Sequence, residues 1–159
     1  MFQTWLPLPS FKDSVAHLKE NHLGVQRLHV LELLEFYHDP EESQLPWNYD
    51  KHVLDDHPIV DMWKGYELQL CEYGLEVCEE WARRKGRRID PFYNKISLHL
   101  EWANTEEAYM HKPNWFGDVD FHISHQAALL RKDPKWYGAY FKADPERQLV
   151  WPESDFRAS

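Results

Sequence analysis

Apolar residues recur at helical spacing along most of this chain, and no stretch shows the strict alternation of a half-buried strand. The pattern predicts helices separated by breaks that proline and glycine mark. Ser10 is placed to cap a helix from Phe11 to about Asn21, with Asp13 in its first turn. Gly24 interrupts, and a second helix runs from Val25 to about Tyr37, where Asp39-Pro40 ends it. Residues 41–56, with Pro46, Trp47 and Asn48, read as a loop. His57-Pro58 opens the longest expected helix, which contains Gly74 and runs to about Lys85, before Gly86. Asp90-Pro91 starts another, to about Asn104, and residues 105–117, with Pro113, form a loop. Asp118 to Lys132 is the last long helix, stopped by Asp133-Pro134. The tail from Asp144 carries Pro145 and Pro152 and is expected to drape over the surface. The expected fold is all-α: one compact helical domain over residues 1–159, with long loops and an irregular C-terminal tail.

Composition narrows the class. A chain of 159 residues that is 43% hydrophobic is long enough to bury one sizeable core, and 15% aromatic content argues against disorder. No apolar run approaches the ~18 residues of a membrane span, and Met1–Ser10 lacks the pattern of a signal peptide. Cys71 and Cys78 are seven residues apart. On a helix they share a face but lie about 10 Å apart along the axis, too far for a disulfide. They read as buried thiols of a reduced, cytoplasmic protein without a membrane partner. With 18 Lys+Arg against 27 Asp+Glu, the net charge of -9 excludes a sequence-blind DNA coat protein.

Several residues carry candidate chemistry. In the long helix Val60, Trp63, Leu70, Cys71, Gly74, Val77, Cys78 and Trp81 share one stripe, and Glu67 lies in its middle. A carboxylate there is either a high-pKa acid–base group or half of a buried ion pair, for instance with Arg27. His22, Gln26, His29 and Leu33 line one edge of the second helix, beside Arg27. They are placed either for proton transfer near neutral pH or for hydrogen bonds between helices. His122 and His125 are i, i+3 neighbours on the last helix. With Ser124 and Lys132 they suit contacts to a phosphate or base, or a structural role. Neither a metal nor a cofactor is expected, because no ligand set has the usual spacing. Arg83, Arg84, Lys85, Arg87 and Arg88 are a helix-end cap or a local nucleic-acid contact. Trp47, Tyr49 and Trp115 are loop aromatics that could stack on a base.

Four groups of segments carry a family resemblance. They are Gln3-Thr4-Trp5-Leu6-Pro7; Leu23-Gly24-Val25-Gln26-Arg27; His57-Pro58 with Met62-Trp63-Lys64-Gly65-Tyr66-Glu67 and Tyr73-Gly74-Leu75; and Ser124-His125-Gln126 with Leu130-Arg131-Lys132-Asp133-Pro134 and Val150-Trp151-Pro152. Together they resemble small bacterial and phage proteins grouped with the pyrimidine-dimer DNA glycosylases of the endonuclease V type. The resemblance implies an all-α protein that flips a base and attacks C1′ of a damaged nucleotide with its N-terminal α-amine. One essential Glu and basic residues on an early helix would assist. His22 falls where the family has a His, and His29 falls where the essential Glu is expected. The bulky Phe2 predicts that Met1 is kept, so the amine would be that of Met1.

Glu67 is then the expected replacement carboxylate, and the catalytic set is Glu67, His29, Arg27, His22 and Met1. The expected substrate-binding set is His57, Trp63, His122, Ser124, His125 and Lys132, with Arg84 and Arg87 from the basic stretch. The partner is DNA or a nucleotide, and the sequence sets no oligomeric state. A glycosylase-like enzyme acting on a damaged or modified pyrimidine, a phage-type enzyme that modifies a base or acts on free nucleotides, and a non-catalytic nucleic-acid-binding module all remain open.

Overall fold

The computed structural model describes residues 2–43, 45, 51–105 and 108–156. Among the described residues every regular element is helical. In chain order these are α1 (Phe11–His17), α2 (Glu20–His38), a 3₁₀ turn (Lys51–Leu54), α3 (Pro58–Trp63), α4 (Glu67–Arg84), α5 (Pro91–Ala103), α6 (Val119–Lys132) and α7 (Pro134–Tyr137). No described helix is long and apolar enough to cross a membrane.

The helix starts follow local chemistry. Ser10, Asp90, Asp118 and Asp133 each accept a backbone N–H of the first turn with the side chain, and Pro91 and Pro134 occupy first positions. His57 does the same through Nδ1, which accepts from Ile59 N–H at 3.1 Å.

Three expected boundaries are corrected. The first helix stops at His17 rather than Asn21, and α2 starts at Glu20 and runs straight through Gly24. Gly24 does not break the helix but permits a close crossing: a Cβ there would lie 2.8 Å from Cζ3 of Trp81 on α4. The third correction is the long helix, which divides into α3 and α4 around Gly65. Gly65 has φ +84°, a conformation that costs glycine little, and its open side is filled by the ring of Phe156 from the tail.

α2 packs against both α4 and α5, and α4 also packs against α5 and α1. The three central helices meet at Gly74, where a Cβ would stand 2.6 Å from Val30 and 3.1 Å from Ile96. Leu23, Val30, Leu31, Leu33 and Leu34 of α2 are all completely buried there, each contributing about 1.5–3 kcal/mol. The tail is fastened rather than loose: Val150 N–H donates to Ser124 Oγ, Ser154 N–H to Asp61 O, and Tyr66 Oη to Asp155 at 2.5 Å.

Candidate active site at the start of the chain

The residues before α1 form no helix or strand, and side chains from several helices bond their backbone. Gln3, Thr4, Trp5 and Leu6 are buried without helix or sheet partners, so their backbone groups need side chains. Gln26 on α2 supplies two: its Oε1 accepts from Trp5 N–H at 2.8 Å, and its Nε2 donates to Gln3 O at 2.9 Å. Tyr73 on α4 shares its one hydroxyl proton between Trp5 O and Gln26 Oε1. Trp63 donates its indole N–H to Thr4 Oγ1 at 3.0 Å.

α6 holds Leu6 by both of its polar groups. Gly117 N–H donates to His122 Nε2 at 2.9 Å, which fixes the proton on Nδ1, and Nδ1 donates to Leu6 O at 2.8 Å. Leu6 N–H donates to His125 Nδ1 at 2.9 Å, which leaves the His125 proton on Nε2. Gln126 Nε2 reaches Pro7 O, and Ser14 Oγ both accepts from Leu8 N–H and donates to Leu8 O. Burial without a charge partner drives His125 to a pKa of about 3, so it is neutral in the folded protein.

This fastening delivers Phe2 to a half-buried corner between α2 and α3. The Phe2 ring stacks on His29 at 4.3 Å between centroids and meets His57 edge-on at 5.7 Å. Trp151 of the tail closes against His57 at 5.5 Å. His29 Nδ1 lies 3.2 Å from Gln3 O and 3.4 Å from Gln3 N. One backbone residue thus offers Nδ1 both an acceptor and a donor, and either tautomer keeps one hydrogen bond. His29 Nε2 and His57 Nε2 make no hydrogen bond with any described residue. Burial lowers the His29 pKa to about 4 and lowers that of His57 as well, so both rings are neutral near pH 7.

The expected catalytic residues are separated. His22 sits at the start of α2, its Nδ1 2.6 Å from Tyr137 Oη, and that hydroxyl also accepts from Lys19 N–H at 3.0 Å. Arg27 faces the other side of α2. It pairs not with Glu67 but with the fully buried Asp90 carboxylate, at 3.0 and 2.8 Å, between the rings of Trp81 and Phe92. Glu67 is the first residue of α4, where its carboxylate accepts from Gly65 N–H at 3.2 Å and burial raises its pKa. It lines a separate cavity of about 430 Å³ with Tyr37, Asp61, Lys64, Trp102 and Phe156. Met1 lies outside the described residues.

The expected binding residues divide too. His57 is at the corner. Lys132 is exposed, with Nζ 5.9 Å from the Trp5 ring centroid. Trp63, Ser124 and His125 have no exposed surface, and His122 is nearly as buried. Their polar atoms hold the start of the chain and the tail, so no base pocket opens between α2, α4 and α6 at those residues. Ser124 Oγ, for example, donates to Phe121 O and accepts from Val150 N–H. Arg84 is turned inward onto the end of α1, and Arg87 is exposed. Trp115 is buried and donates to Met62 O, so it is no stacking platform; Trp47 and Tyr49 lie outside the described residues.

Sequence reasoning missed Phe2, Gln3, Tyr73 and Tyr137, because their partners lie far along the chain. It also missed Glu32, one turn after His29, whose carboxyl burial raises to a pKa of about 7. The i, i+3 spacing from His29 was the available signal.

Comparison with known proteins gives the site its context. No curated protein and no solved structure matches the chain. A family model described as pyrimidine dimer DNA glycosylase matches residues 2–94, from the fastened start through α1–α4 into α5. That span is more than half of the 159 residues and contains Phe2, His22, His29 and His57. The chain belongs to the pyrimidine dimer DNA glycosylase family.

Proposed function

We propose that this protein is a DNA glycosylase-like enzyme that releases a damaged or modified pyrimidine, with the target sugar presented at the corner of Phe2, His29 and His57. The observation that carries the reading is the double hydrogen-bonding option of His29. Its ring is neutral near pH 7, and moving the proton between its two nitrogens keeps a bond to Gln3 in either state. A group of that kind can take a proton from a nucleophile and return it to a leaving base.

In the proposed reaction the α-amine of Met1 forms a bond to C1′ while the bond from C1′ to the pyrimidine nitrogen breaks. The base leaves with the bonding electrons and gains a proton. His29 accepts the proton lost by the amine. Opening of the sugar ring then leaves an imine between protein and sugar. The family resemblance supports the amine, and the fastening of residues 3–8 supports a fixed approach to the sugar. His29 replaces the carboxylate that the family uses at this step, and the neighbouring acid on the same helix is Glu32.

The test is direct. The protein is incubated with duplex DNA carrying ultraviolet lesions or modified pyrimidines, released base is measured by mass spectrometry, and the imine is trapped with borohydride. Base release with a covalent adduct is expected. Base release without an adduct assigns the attack to water instead of the amine. DNA binding with neither product would overturn the enzymatic reading in favour of a binding module, the alternative that the histidine at position 29 supports.

A further inference from the structure

The basic stretch at the end of α4 holds five cations in six positions, Arg83–Arg88 with Gly86 between them, in a chain whose net charge is -9. The structure commits three of the five to the fold. Arg84 donates to the carbonyls of Val15, Ala16 and Leu18 at the end of α1 and to Glu80. Lys85 pairs with Glu20 and lies 4.8 Å from the Trp81 ring centroid. Arg83 pairs with Glu80. The side chains of Arg87 and Arg88 are exposed and make no hydrogen bond or ion pair with any described residue.

The backbone explains why these two differ. Gly86 has φ +64°, and around it Gly86 N–H bonds Arg83 O while Arg87 N–H reaches back to Ala82 O. This is the glycine-dependent closure of a helix end, and it turns the chain off the α4 axis just before Arg87. The turn leads into α5 along a cleft of about 530 Å³. Arg83, Arg87 and Arg88 line it beside Ala82, Ile89 and Tyr93. Two carboxylates also border it. Asp90 is neutralised by its two bonds from Arg27, which leaves the exposed Glu79 as the opposing charge.

We propose that this cleft is a phosphate-ester site, in which Arg87 and Arg88 grip the phosphate and Ile89 and Tyr93 flank the attached sugar. A planar guanidinium offers paired N–H donors that match two phosphate oxygens. Two uncommitted guanidiniums beside an apolar wall therefore distinguish this cleft from a solvated helix end. The proposal rests on the DNA-acting reading above, because it gives an acidic protein a local hold on a polyanion. The phosphate comes from the DNA strand or from a free nucleotide.

Fluorescence anisotropy with an undamaged duplex, read from 50 to 200 mM salt, tests the strand. Competition by a nucleoside monophosphate tests the free ligand. Arg87→Ala/Arg88→Ala in the full chain is expected to weaken duplex binding roughly tenfold at 50 mM salt and to lower the log–log salt slope by about 1–2. The Arg87→Lys/Arg88→Lys variant retains the slope and loses part of the affinity, which separates phosphate contact from misfolding. Loss of nucleotide competition with duplex binding unchanged assigns the site to free nucleotides. Unchanged binding of both ligands in the alanine variant would falsify the proposal. Absence of base release alongside the expected binding loss would sink the glycosylase reading and leave the cleft standing.

Discussion

The histidines of α6 and those of α2 begin as the same sequence signal and end in different surroundings. His122 and His125 sit one turn apart on an amphipathic helix, and His22 and His29 sit two turns apart on another. On α6 the rings meet a backbone that has no other partners: Leu6 is taken from both sides, and His122 has both nitrogens engaged. At the corner His29 and His57 use one nitrogen each on the protein and keep the other available. A buried ring that bonds the backbone is a fastener even where its second nitrogen has no partner, as at His125 Nε2, and a half-buried neutral ring with an available nitrogen is equipped for chemistry. The comparison breaks if the fasteners prove dispensable for folding or the corner dispensable for reaction.

The largest expected effect falls on the fastening side. Gln26 accepts from Trp5 and Tyr73 and donates to Gln3 inside the core. Gln26→Leu keeps the volume and strands Trp5 N–H, at about 1–3 kcal/mol, while Tyr73 Oη and Gln3 O each lose one of two partners. A loss of about 3–4 kcal/mol in urea unfolding is expected, and a loss under 1 kcal/mol would show that the start of the chain is not held in this way.

The corner is tested next. His29→Ala removes a ring that bonds only Gln3 and stacks on Phe2. Base release is expected to fall about 100-fold while stability changes by no more than about 1 kcal/mol. A parallel loss of both would return His29 to the fasteners.

The fold was more legible in the sequence than the site. Asp90-Pro91, Asp118 and Asp133-Pro134 located three helix starts, because capping is local chemistry. Gly24 and Gly65 were misread for one shared reason: the group that decides each lies elsewhere, in Trp81 for Gly24 and in Phe156 for Gly65. The site suffers from the same distance. Pro7 and Pro9 mark the first ten residues as irregular, but irregularity does not show that Gln26, Tyr73, His122 and His125 converge on them from three helices. Glu67 was placed on a continuous stripe that the break at Gly65 removes.

The neutrality of the His125 fastener is tested through pH. Its folded pKa, about 3, is below the unfolded value near 6.5, so the unfolded chain binds the extra proton between those limits. The stability that neutral His125 contributes is therefore present above about pH 6.5 and is lost as pH falls toward 3. His125→Asn supplies an acceptor to Leu6 N–H but does not titrate. Its deficit against the wild type, about 2 kcal/mol at pH 7, should shrink as the pH falls below about 6.5 and vanish at about pH 5. A deficit independent of pH would mean that the ring is not kept neutral by burial.

The smallest effect is at Glu32, and its sign is the reverse. Burial, with the neighbouring charge of Glu35, raises the Glu32 pKa from the ordinary 4.5 to about 7. The folded protein therefore holds a proton there that the unfolded chain releases between those values, so this group's effect is unfavourable to folding as pH rises through 7. Glu32→Gln imitates the protonated acid at every pH. Because the side chain is only partly buried, solvent reduces the gain to about 1 kcal/mol at pH 8, falling to nothing near pH 4. A carboxyl that costs stability at the pH where it is ionised, one turn from His29, is an acid retained at some expense to the fold. If Glu32→Gln also slows base release, that expense has a function, and the carboxylate missing from position 29 is supplied by the next turn of the same helix. If release is unaffected while stability rises, the corner works through imidazoles alone.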